Sequence, residues 1–353
     1  MSTAQNHSSD AEDVDPSGSA LPVNVTGRGR AAHSNKAGRF EAESREIVDD
    51  GWGTIDELPP VKTEVQTEIA RHVITKNSSS DLPFDRSINP YRGCEHGCIY
   101  CFARPTHAYM GLSPGLDFES RLFAKPNAAR VLERELGAPS YQASQSRLVR
   151  TQILPAIERS HKIMRGILEV LNKTGHPVTI VTKSALVMRD IDILSDMAKR
   201  NLAKVAISVT TLDRKIARSL EPRASTPTRR LQAIKALSDA GIPTAVLAAP
   251  VIPGLTDHEL ESILEVCKEH GASEANYILL RLPREVSELF KEWLLREAPG
   301  SYRRVLSLLR SMRDAKTMTP SGPSASRAKG LMRISWPNAF NWPAKARDCR
   351  HAR

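Results

Sequence analysis

No stretch of the 353 residues approaches the ~18 consecutive apolar positions that a bilayer-spanning helix needs. Membrane-embedded function classes therefore find no support. The polar start, MSTAQNHSSDAEDVDPSGSA, lacks the basic-then-apolar layout of a secretory leader, and a cytoplasmic location is expected. Aromatic residues are scarce, at 5%, and in the middle of the chain they are not clustered with arginine. That weakens any reading as a single-stranded nucleic-acid binder built on stacking platforms. Cysteine is also rare. Five residues are too few for a disulfide framework, and three of them crowd together at Cys94, Cys98 and Cys101. In a reducing compartment such crowding points to metal or redox chemistry.

What is present in abundance is basic charge, a formal net of +10. Its placement limits its meaning. Residues 314–353 hold eight Lys or Arg against two Asp, so most of the surplus sits in the tail and the remainder of the chain is only mildly basic. A scattered surplus of this kind is ordinarily a solvated surface.

The chain divides by pattern. Residues 1–45 are rich in Ser, Asp, Gly and Ala with no apolar period, and disorder is expected there. Residues 46–84 read as a polar extension packing on the main domain. From 85 to 313, β-branched runs alternate with amphipathic stretches of helical length. The strands are Val178–Thr182, Val205–Val209 and Thr244–Ala248. The helices cover 191–201, 227–240, 258–269 and 284–296. Nearly continuous apolar strands separated by helices signal a parallel sheet covered on both faces or closed into a barrel, with about six strand-helix units. Asp257 is placed to cap a helix, Pro227 to open one, and Gly241 and Gly271 to end two. Ligands of such sheets collect at the carboxyl ends of the strands. Residues 314–353 form an irregular basic tail.

The segment Asn89-Pro90-Tyr91-Arg92-Gly93-Cys94-Glu95-His96-Gly97-Cys98-Ile99-Tyr100-Cys101 spaces its cysteines C-x3-C-x2-C. Thiolates are soft ligands suited to zinc or iron-sulfur centres, and this spacing lets one loop present three sulfurs to one face of a metal centre. Three ligands on a four-iron cube leave one iron open to substrate or cofactor. The rival is a structural zinc, closed by His96 or another histidine. Zinc knuckles more often come as two separated C-x2-C pairs, and no second pair exists; Cys267 falls in a helical stretch and Cys349 in the tail.

Those residues, with the surrounding phrase SINPYRGCEHGCIYCFARPTHAYMGLSPGLDFES, resemble the radical S-adenosylmethionine (SAM) superfamily and its spore photoproduct lyase-like branch, often described as DNA repair photolyase-like. The resemblance covers residues 70 to 313. It implies an α/β fold, a partial (β/α)6 TIM-like barrel of parallel strands, with a [4Fe-4S] cluster on Cys94, Cys98 and Cys101 and SAM on the open iron. It implies reductive cleavage of SAM to a 5'-deoxyadenosyl radical that abstracts hydrogen from a substrate, with nucleic-acid lesions as a branch-level expectation. A flavodoxin- or ferredoxin-type reductant protein is the expected partner. By the same resemblance Tyr100 lies near the adenine, Ser208 and Thr210 contact ribose or carboxylate, Lys183 ends the third strand within the cofactor site, and Ile252 packs on the adenine. The turns Glu221-Pro222-Arg223 and Arg281-Leu282-Pro283-Arg284 are possible substrate-facing groups, whereas His107, His161 and His176 read as ordinary surface residues. The alternative reading is a noncatalytic iron-sulfur or zinc protein that binds nucleic acid.

The sequence departs from the branch at the end of the second strand and again in the tail. Members usually carry Thr-Asn-Thr-Asp-Pro-Tyr-Gln at the end of the second strand, where it helps hold SAM. Here that place reads Leu148-Val149-Arg150-Thr151-Gln152-Ile153-Leu154. The codons ACG AAC ACA GAT CCT spell the start of the polar run, and the same bases read one position later spell residues 150 to 154. A short reading-frame slip is the expectation, with a similar slip behind residues 314–353. On that view the tail charge carries no information about partners, Trp336, Phe340 and Trp342 are exposed, and SAM affinity is reduced.

Overall fold

The β-branched runs become strands. The computed structural model describes residues 30–41, 61–76, 86–141, 148–149 and 155–312. Short elements come first: β1 (Glu64–Thr67), β2 (Ile74–Lys76), β3 (Arg86–Ile88), β4 (Tyr91–Arg92), α1 (Leu116–Ser120), β5 (Arg121–Ala124) and α2 (Ala128–Leu136). Alternation follows: β6 (Leu148–Val149), α3 (Pro155–His161), α4 (Ile163–Thr174), β7 (Val178–Thr182), α5 (Ile191–Lys199), β8 (Ala203–Ser208), α6 (Arg214–Leu220) and α7 (Pro227–Asp239). The series ends with β9 (Thr244–Val251), α8 (Leu260–Glu269), β10 (Glu274–Leu279), α9 (Glu285–Glu297) and α10 (Tyr302–Ser311).

Strands β6 to β10 form one parallel sheet in sequence order, with Val178 opposite Ala203 and Val205 opposite Thr244. Strands β7 to β9 are buried along nearly their whole length, and α5, α7 and α8 pack against the sheet, as expected of a parallel sheet covered by its crossover helices. Ile180, Val205 and Ile207 have no exposed surface, and each such side chain stabilises the fold by about 1.5–3 kcal/mol. This is a partial parallel (β/α) barrel. Five strands are hydrogen-bonded in it, and β3 lies alongside β6 where a sixth would stand.

The strand that leads into the cysteine loop, β4, stands outside the parallel sheet: it pairs antiparallel with β5, which pairs parallel with β1 in a separate three-stranded sheet. Several expectations are corrected. Asp257 caps no helix; its Oδ1 accepts the Gly254 N–H at 3.0 Å, and a 3-10 turn precedes α8. Pro227 does open α7, capped by Thr226. The disorder expected through residue 45 does not extend over Arg30–Glu41. Ala31 and Ala32 are buried, Ser34 Oγ donates to Glu292 at 2.7 Å, and Asn35 Nδ2 donates to Asp117 at 3.1 Å. Apolar periodicity cannot reveal such a strap, since buried carboxylates elsewhere in the chain hold it. The proposed slips at 150–154 and in the tail, with Trp336, Phe340 and Trp342, lie outside the described residues.

Candidate active site

The cysteine loop turns back on itself twice, at Gly93 and Gly97, with φ of +76° and +67°. Only glycine takes these angles without strain, and space forbids a side chain as well. A Cβ on Gly93 would lie 2.6 Å from Leu122 Cδ2, and one on Gly97 would lie 2.9 Å from Glu119 Oε2. The backbone is pinned at each end: Cys94 N–H donates to Phe118 O at 2.9 Å and Ile99 N–H to Leu220 O at 3.1 Å. Cys94, Cys98 and Cys101 are all buried. Burial, then the neighbouring Cys98 and Cys101, pushes the Cys94 thiol well up; burial, then Glu221, pushes Cys98 up to about 12. Without a cation these two groups are therefore thiols, and a bound metal centre displaces their protons.

Among the described residues, no three His, Cys, Asp or Glu side chains are gathered around the position of a single metal ion. The three cysteines are close enough to feel one another's charge. His96, between them, is buried, and burial followed by Arg230 drives its ring down to about 3. Its Nε2 has no hydrogen-bond partner among the described residues.

Beside the loop, the carboxyl ends of β7, β8 and β9 converge on one polar knot. Lys183 Nζ donates to Ser208 Oγ at 2.8 Å, Thr210 Oγ1 at 2.9 Å and Ala249 O at 3.0 Å. It also pairs with Glu221 Oε1 at 3.1 Å, its side chain only 15% exposed. Thr210 Oγ1 donates to the same carboxylate oxygen at 2.7 Å, as does the Tyr100 hydroxyl. Arg230 binds the other oxygen, Oε2, and reaches Ser208 O at 3.0 Å. Burial opposes ionisation of Glu221, but Arg230 and then Lys183 outweigh it and hold the carboxyl far below the usual range.

Four of the five expected cofactor contacts, Tyr100, Lys183, Ser208 and Thr210, are thus brought together. Ile252 stands apart from the knot, fully buried just past β9, its N–H bonded to Thr256 Oγ1 at 3.0 Å. The hub, Glu221, was read from sequence only as a turn residue facing substrate. It points inward instead, and its neighbour Arg223 binds Glu95 at 2.8 Å. His107 and His176 are buried rather than on the surface: His107 Nε2 bonds Arg121 O at 2.9 Å and His176 Nε2 bonds the Tyr141 hydroxyl at 2.7 Å. Arg104, Glu119 and Arg230 carried no sequence signal, because a charged residue in an apolar stretch reads as exposed until its partner is known.

The profile of the Radical SAM superfamily matches residues 88–267. An uncharacterized protein of Mycobacterium tuberculosis is 36% identical over 236 residues, covering 66% of this chain and 69% of that relative. One from Methanocaldococcus jannaschii is 27% identical over 216 residues, covering 61% of this chain and 77% of the relative. Among solved structures, a spore photoproduct lyase variant superposes with a TM-score of 0.50 at 15% identity, covering 66% of each chain. That likeness is one of fold, to the branch the cysteine phrase resembles. No described helix is long and apolar enough to cross a membrane. The three-thiol loop, the parallel strands that end beside it and the matched sequence place this chain in the Radical SAM superfamily, as an enzyme of that family.

Proposed function

We propose that Cys94, Cys98 and Cys101 hold a [4Fe-4S] cluster and that the strand ends beside them hold SAM. The observation that carries this reading is the set of three buried thiols on one tightly turned loop, adjacent to a polar knot built from three strand ends. When bound, the pair supplies reductive cleavage of the SAM sulfonium, giving methionine and a 5'-deoxyadenosyl radical for hydrogen abstraction.

The chain's own part is binding, orientation and exclusion of water. The three cysteines lose their protons and supply thiolates, leaving one metal corner free for a chelating ligand. Lys183 offers an ammonium to the SAM carboxylate, with Ser208 and Thr210 as hydroxyl partners. Glu221, both of its oxygens satisfied, takes no ligand; it fixes Lys183, Thr210 and Tyr100 in place. Tyr100 offers a ring edge toward the adenine, and Ile252 an apolar wall. A low-potential electron carrier of flavodoxin or ferredoxin type is required. A nucleic-acid lesion is the substrate class to assay first, from the resemblance of the cysteine phrase.

The test is anaerobic reconstitution with iron and sulfide, chemical reduction, and chromatography of the products formed from SAM. About four irons per chain and release of 5'-deoxyadenosine are expected, as three thiolates on a four-iron cube require. Stoichiometric zinc with no 5'-deoxyadenosine would overturn the proposal in favour of a noncatalytic metal protein, whose salt-sensitive retention on DNA would then be the property to measure.

A further inference from the structure

Behind the thiol loop stands a second set of buried groups that binding of cluster and SAM does not use. Arg104 has no exposed surface, and a guanidinium carries five N–H donors that are costly to leave unpaired there. Every one is taken. Nε donates to Cys98 O at 2.9 Å, Nη2 to Gly97 O at 3.1 Å and Glu119 Oε1 at 2.5 Å, and Nη1 to Pro114 O at 2.9 Å and Gly115 O at 3.0 Å. Two of those carbonyls belong to the metal loop itself.

The partner carboxylate, Glu119, is equally buried. A single guanidinium does not satisfy both of its oxygens. The remaining donors are backbone amides from far along the chain: Ala31 N–H to Oε2 at 3.2 Å and Ala32 N–H to Oε1 at 3.0 Å. The same strap sends Arg30 to Glu119 O at 2.6 Å and to Thr63 Oγ1 at 2.9 Å. Thr63 in turn donates to Glu95, the residue after Cys94, at 2.7 Å. The strap therefore reaches the loop by two routes, one ending at the Gly97 and Cys98 carbonyls and the other at Glu95.

We propose that the Arg30–Ala32 strap, acting through Glu119 and Arg104, is part of the cluster-binding site and sets how firmly the three-thiol loop grips its metal. Arg104 and Glu119 are positioning residues; they touch loop backbone, not reacting atoms. The inference rests on the reading of the loop as a cluster site. Removing an amide donor leaves Glu119 short of a partner, Arg104 follows it, and the Gly97 and Cys98 carbonyls lose the anchor that spaces the sulfurs. Coupling of this kind is reciprocal, so a loaded cluster must also tighten the strap.

Reciprocity supplies a test on the unaltered full-length chain. Amide hydrogen exchange at Ala31 and Ala32 is followed before and after anaerobic loading with iron and sulfide. Loading should slow exchange at both by ~10-fold or more, about 1.4 kcal/mol of coupling. The companion variant, Ala32→Pro, deletes one donor while leaving every charged side chain in place. Iron loss from its loaded form to a chelator should be ~10-fold faster than from the parent. A chain that loads its cluster but exchanges the strap amides at an unchanged rate overturns this proposal alone, as does a folded variant that keeps its iron equally long. A parent chain that takes up no cluster overturns the cluster reading and this inference together. If Ala32→Pro does not fold, the exchange measurement on the parent still decides.

Discussion

Two buried Arg–Glu pairs organise the two halves of the site, and they work in opposite senses. In Arg104–Glu119 the guanidinium is the hub, spreading its donors over four backbone carbonyls, two in the thiol loop and two at Pro114 and Gly115. In Arg230–Glu221 the carboxylate is the hub, gathering the side chains of Lys183, Thr210 and Tyr100. The contrast follows from the local structure. A tightly turned loop leaves many carbonyls without helix or strand partners, and only a multi-donor group can satisfy them. Strand ends already have their backbone paired and project side chains, which an acceptor with several lone pairs can collect. One pair holds the loop that carries the sulfurs; the other holds the side chains at the strand ends, where SAM is proposed to bind.

The largest loss is expected on the loop side. Arg104→Gln strands Glu119 and several carbonyls, and removing one member of a buried pair costs about 3–5 kcal/mol; denaturant unfolding should show that loss together with poor iron uptake. Glu221→Gln should follow at the low end of the same range, with a different signature: iron binding near parental, SAM binding lost, read by equilibrium dialysis of labelled SAM against the loaded protein. Lys183→Met is a narrower cut. Deleting one charged hydrogen-bond donor should weaken SAM binding about 10- to 100-fold, with iron content unchanged.

The smallest effect is in the strap. Burial, with Arg296 adding to it, pulls His33 from its ordinary 6.5 down to about 4 against the pull of Glu292. The ring is therefore neutral in the fold, and stability is lost as pH falls from about 6.5 toward 4, where the unfolded chain binds the proton first. His33→Asn should flatten the melting temperature against pH in that window and leave it unchanged above pH 7.

The barrel was readable from the sequence because its strands are buried on both faces and so appear as unbroken β-branched runs; Val178–Thr182 was placed at its observed bounds. The thiol loop was readable because three of only five cysteines stand within eight positions, spaced C-x3-C-x2-C. Lys183, Ser208 and Thr210 were singled out as residues at strand ends, where such sheets collect ligands; that the structure joins them through one carboxylate was indicated by nothing in the sequence. The pairing of Glu221 with Arg230 and of Arg104 with Glu119 escaped because a buried ion pair outside regular i,i+4 spacing has no local signature; each partner is ordinary until the fold supplies the other. The strap at Arg30–Ala32 escaped for the same reason: its bonds run from its own backbone to a carboxylate on α1.

The proposed cluster, held by three thiolates, has one corner open to SAM. Low-temperature electron paramagnetic resonance on the anaerobically reconstituted, reduced protein tests it directly. A reduced-cluster signal whose g-values move when SAM is added is expected. A signal that SAM leaves unmoved, or no iron-sulfur signal from protein with Cys94, Cys98 and Cys101 intact, would contradict it.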